Sequence, residues 1–152
     1  MHSNNPFPAQ SGNDPQSLND MLQELRILLQ GSQLLTAFLI VLPFSDRFHV
    51  IIQAEKIVYL ITFICALLSL VLFSTPAVHH RLKRPLVDRV RFKNFSSYMM
   101  IIGLVPLTVA LTLAAQLVVS EVIGEMPGTL IAGGILLFII LIWWVFPFVK
   151  RT

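Results

Sequence analysis

Four runs of this chain, at about residues 27–43, 57–74, 98–120 and 129–149, contain no Asp, Glu, Lys or Arg and are built mainly from Leu, Ile, Val, Phe and Ala. Each approaches the roughly 20 apolar residues that a helix needs to cross about 30 Å of hydrocarbon. A backbone in lipid must satisfy its own hydrogen bonds, so runs of this length read as helices. The expected fold is all-α: an integral membrane four-helix bundle formed by residues 17–152, with Met1 to Gln16 as a disordered polar tail. Composition agrees, because 55% hydrophobic against 12% charged residues leaves too little polar surface to cover a water-soluble exterior.

The tail carries Asn4, Asn5, Pro6, Pro8, Ser11, Gly12, Asn13 and Pro15. It cannot bury enough apolar surface to offset its ordering entropy. It also lacks a basic region and a small-residue cleavage pattern, so it does not read as a signal peptide. Ser17 and Asp20 form a helix start, followed by Leu18, Met21, Leu22, Leu25, Leu28 and Leu29 at helical spacing. Pro43 ends the first span and Pro76 follows the second. A turn over Gly124, Glu125, Met126, Pro127 and Gly128 separates the third and fourth.

Orientation follows from Lys and Arg. Six of the eleven (Arg81, Lys83, Arg84, Arg89, Arg91 and Lys93) fall between the second and third spans. With Arg26, Lys150 and Arg151 they place nine on one side, against Arg47 and Lys56 on the other. The positive-inside bias then puts both termini in the cytoplasm, in a multi-pass cell (inner) membrane protein. Trp143 and Trp144 fit a membrane interface near the end of the last span. The basic segment is expected to contact anionic lipid at the cytoplasmic leaflet rather than nucleic acid, with Leu86, Val87 and Val90 forming the apolar face of a short interfacial helix. His79 and His80 at its entrance are candidates for pH sensing, since neighbouring cations disfavour their protonation.

Polar side chains within the spans form three stripes. Gln23, Arg26, Gln30 and Gln33 share a face of the first helix, beside Gly31 and Ser32. Thr62, Cys65 and Ser69 share a face of the second, and Thr108, Thr112, Gln116 and Ser120 recur every four residues on the third. Such groups either line a polar pathway or hold helices together. At 1.5 Å per residue, Gln33 and Ser69 both lie roughly 9 Å from their cytoplasmic ends, within reach of a hydrogen bond, and Thr62 and Gln116 share an outer depth. Gly103 and Pro106 mark a candidate hinge, because the proline leaves the Ile102 carbonyl without its usual donor. Cys65 has no intrachain cysteine partner and reads as packing. Ala110 with Ala114, and Thr129 with Gly133, suggest close helix contacts and a homo-oligomer.

No enzyme signature, metal-ligand spacing or cofactor loop is present, and no catalytic residue can be named. No carboxylate lies at the centre of a span, which weighs against cation-coupled transport.

Two blocks carry a family resemblance: Gly31, Gln33, Leu34, Phe38, Leu39, Pro43, Phe44, Arg47 and Phe48, then Tyr59, Leu60, Thr62, Ala66, Leu67, Pro76, His79 or His80, Arg81 and Leu82. Together they resemble a bacterial family of small four-span membrane proteins of unknown function, some of whose members are labelled sodium:proton antiporters. The resemblance covers about the first two spans and implies a bacterial cytoplasmic membrane. Within it, Arg47 beside Asp46 either pairs with Glu55 or Glu121 at the outer face or is solvated.

The leading functional expectation is a small oligomeric channel-like or transport-related protein. The alternative is a non-conducting scaffold or accessory subunit. A wettable oligomer axis lined by Gln30, Gln33, Thr112 or Gln116 would favour the first, and a packed axis the second.

Overall fold

The computed structural model describes residues 15–49, 52–82 and 89–145. The chain builds α1 (Pro15–Val41), two 3-10 turns (Leu42–Phe44 and Asp46–His49), α2 (Gln53–Leu82), α3 (Arg89–Ile123) and α4 (Glu125–Ile140), which runs on into a π-helical turn at Leu141–Val145. Four stretches are long and apolar enough to cross a membrane: Asn19–Phe44, Gln53–His79, Asn94–Ile123 and Glu125–Trp143. The protein is a multi-pass membrane bundle whose exterior is apolar. Leu34 and Leu130 are each 75% exposed, which is the surface a hydrocarbon solvent requires.

The helices are longer than the hydrophobic runs suggest. Helix α1 begins at Pro15, two residues before the start expected at Ser17, and the amphipathic start and the apolar run form one continuous helix. Pro15 opens α1, where a missing N–H costs nothing. The tail up to residue 14, segment 83–88 and residues beyond 145 lie outside the described residues, and with them most of the expected interfacial helix. Arg89, Val90 and Arg91 already belong to α3.

The expected five-residue turn before the last helix contracts to Gly124 alone. Gly124 adopts φ +112°, a left-handed conformation that a side chain would strain, and its N–H donates to the Ser120 carbonyl at 2.9 Å. Helix α4 then starts at Glu125. Pro127 falls in its first turn, where proline is tolerated. A Cβ added at Gly128 would sit 2.9 Å from the Ser120 backbone, so glycine there lets α4 fold back closely onto α3.

The helices pack as a row. α2 and α3 form the most extensive pair, α4 lies along α3, and α1 lies along α2 with a lighter contact to α3; among the described residues α1 and α4 do not approach each other. The α2–α3 crossing is tight because Phe73, fully buried, presses its ring onto Gly103, where an added Cβ would lie 2.6 Å from the ring edge. Gly103 therefore supplies room, beside any softness it lends near Pro106. One core cluster centres on Leu25, Phe73 and Leu107, with Trp143 packed against it. A second centres on Leu39, Ala66 and Ala110, with Tyr59, Phe63 and Cys65 at its margin.

Candidate functional site

The α1–α2 connection is shaped by Pro43. Proline has no N–H to give to the carbonyl four residues earlier, that of Leu39, and its ring crowds that carbonyl. The α-helix accordingly stops at Val41 and tightens into a 3-10 turn. The Tyr59 hydroxyl donates to the Leu39 carbonyl at 2.8 Å and fills the vacancy. The turn closes with Ser45 donating to the Leu42 carbonyl from its N–H at 3.1 Å and from its hydroxyl at 2.7 Å. Phe48 then meets the Tyr59 ring edge-on at 4.9 Å, and Tyr59 stacks with Phe63 at 6.2 Å.

These contacts frame a cavity of about 410 Å³ at the end of the bundle opposite the start of α1, here called the distal end. Leu42, Phe48, Tyr59 and Leu117 form apolar walls, Ser45 contributes a hydroxyl, and Asp46, Glu55 and Glu121 bring three carboxylates. Glu55 lies in the first turn of α2, where the helix dipole favours a negative charge. Glu121 lies in the last turn of α3, where the dipole disfavours a negative charge. Among the described residues no three His, Cys, Asp or Glu side chains converge tightly enough to hold a metal ion. The volume falls in the range of small-molecule pockets. The arrangement suits a diffuse organic cation with an apolar body.

The candidate residues on the helix stripes divide between inside and outside. Thr62, Ser69, Thr108 and Thr112 are buried. Each hydroxyl donates to a carbonyl of its own helix: Thr62 to Val58 at 2.7 Å, Ser69 to Ala66 at 2.8 Å, Thr108 to Leu104 at 2.8 Å and Thr112 to Thr108 at 2.9 Å. Ser69 also approaches Ser32 across the α1–α2 contact, at 3.4 Å. The partner expected for Ser69 was Gln33. Ser32 takes that place because the inward face of α1 carries Met21, Leu25, Ser32, Thr36 and Leu39. Gln30 and Gln33 are exposed on the outside, and Gln116 is half-buried.

At the proximal end, His79 packs against Phe95 with ring centroids 5.1 Å apart. The side chains of His80, Arg81, Lys83, Arg84, Arg89, Arg91 and Lys93 lie outside the described residues, as does that of Arg47.

In the sequence Glu55 and Glu121 stand out only as partners for Arg47, and nothing there marks the cavity they share with Asp46. The usable signal was Pro43, whose missing N–H implies a Leu39 carbonyl in need of a donor. No curated protein and no solved structure matches the chain. A family model matches residues 14–147, nearly the whole helical region, and the chain belongs to that family, the family of unknown function DUF6328.

Proposed function

We propose that the protein is transport-related and takes a small amphipathic organic cation into the distal cavity. The carrying observation is the pairing of apolar walls at Phe48 and Tyr59 with carboxylates at Asp46, Glu55 and Glu121 around one space of about 410 Å³. Charge draws the cation in, and the aromatic faces add cation–π attraction of about 0.5–2 kcal/mol. The excess of Lys and Arg at the proximal end orients that end toward the cytoplasm of a bacterial cell, so the cavity opens outward. The basic segment then rests on anionic lipid. In this reading the protein carries out no covalent chemistry.

Tetraphenylphosphonium binding to the full chain in lipid nanodiscs tests the proposal. Saturable binding that weakens in Glu55→Gln and Glu121→Gln supports it. Binding that is unchanged in the double variant, or absent from the wild type, rejects it.

The alternative, a non-conducting scaffold, draws on one observation: the buried Thr and Ser hydroxyls are bonded within their own helices. Such hydroxyls serve packing as well as a pathway. Flux of the same cation in proteoliposomes separates the two, since a scaffold leaves the leak rate of empty liposomes unchanged.

A further inference from the structure

Helix α1 has a second polar face that the bundle does not use. Successive residues turn by about 100°, so Gln30 points away from the side that buries Ser32 and Thr36. Gln30 and Gln33 are exposed, and neither amide has a hydrogen-bond partner among the described residues. Within the uncharged run that begins at Ile27 they lie about 4.5 Å and about 9 Å from its proximal end along the axis. An unbonded primary amide at that depth is unfavourable in hydrocarbon and seeks a partner.

Three features say what covers it. A glutamine amide both donates and accepts, so a two-fold axis can pair it with its own copy, as an isologous contact requires. Exposed Ala37 lies two turns beyond Gln30 on the same face, so a neighbouring backbone can approach there. Helix α1 also stands at the edge of the row, away from α4, leaving its outer side open along the membrane.

We propose that a second copy of this chain, inserted in the same direction, packs on this face, with the Gln30 and Gln33 amides bonded across a two-fold axis normal to the membrane. Arg26 is exposed about one turn nearer the proximal end. Its long side chain reaches the headgroups, and the two helices diverge there to separate like charges.

Oxidative crosslinking in membranes, on full chains with Cys65→Ser, tests the contact. Gln30→Cys, Leu34→Cys and Ala37→Cys are expected to give covalent dimers, and Leu130→Cys and Gly133→Cys on α4 are not. Subunit counting in dilute liposomes provides the second reading, with Gln30→Leu plus Gln33→Leu weakening association about tenfold or more. Both side chains are exposed, so the thermal midpoint of the dispersed monomer stays at the wild-type value. A wild type that remains monomeric at every protein-to-lipid ratio overturns the proposal. So does crosslinking confined to α4, or a double Leu variant that associates as well as the wild type.

Discussion

The Tyr59 hydroxyl donates to the Leu39 carbonyl at 2.8 Å, the acceptor that Pro43 cannot serve. The bond spans 20 residues of sequence and ties α2 to the last turn of α1. It also fixes the ring that walls the distal cavity, so one proline sets up both a helix end and a binding surface.

Tyr59→Phe is expected to destabilise the protein by about 1 kcal/mol, the net value of a hydrogen bond whose acceptor is then left unserved. Pro43→Ala restores an N–H that can reach the Leu39 carbonyl. In that background Tyr59→Phe should cost much less. Thermal or denaturant unfolding in detergent across the four combinations measures the coupling, and additive effects would refute the link.

Gly103→Ala places a methyl group 2.6 Å from the Phe73 ring, an overpacking expected to cost about 1–3 kcal/mol. Phe73→Leu removes the ring edge, so Gly103→Ala should be milder in that background. If Gly103 acts only through backbone softness next to Pro106, the penalty will be the same in both backgrounds.

At Gly128 the opposing atoms are the backbone of Ser120, which cannot rotate away as a side chain can. Gly128→Ala should therefore lower the thermal midpoint clearly. Gly133→Ala and Gly134→Ala have open space and should be neutral or stabilising by about 0.5–1 kcal/mol, the ordinary helix gain of alanine over glycine. A reversed ranking would mean that α4 does not lie on α3 in this way.

Phe48 meets Tyr59 edge-on at the cavity wall. Phe48→Ala should weaken tetraphenylphosphonium binding about three- to tenfold, while Phe48→Tyr, which keeps the ring, should leave it near the wild-type value. Isothermal titration of the chain in nanodiscs distinguishes the two. Equal loss in both variants would point to a disturbed turn rather than a lost aromatic contact.

Much of the architecture was legible from hydropathy, because the length of an uncharged run and the cost of unsatisfied backbone in lipid leave few alternatives to spanning helices. Boundaries were less legible. Helix α1 begins within two residues of the Ser17 start, but α2 runs through Pro76 to Leu82 and α4 begins four residues earlier than residue 129, since helical hydrogen bonding continues past the most apolar stretch. Glu55 and Glu121 stood out only as outer-face partners for Arg47, and the cavity they share with Asp46 depends on a proline-forced turn and on the Tyr59 hydroxyl.

The amino-acid sequence alone determined four membrane-grade helices and which polar residues share a face on the first three, because both follow from local composition and a period of 3.6 residues. Which of those faces turns inward was decided only by the packed structure. On α1 the face with Ser32 and Thr36 and the face with Gln30 and Gln33 are both polar, and periodicity cannot choose between them. Tertiary packing does, because the Thr36 hydroxyl bonds to its own helix and the Ser32 hydroxyl meets Ser69 across the contact, so that α2 comes close, whereas the long amides do not fit that contact and stay on the outer side.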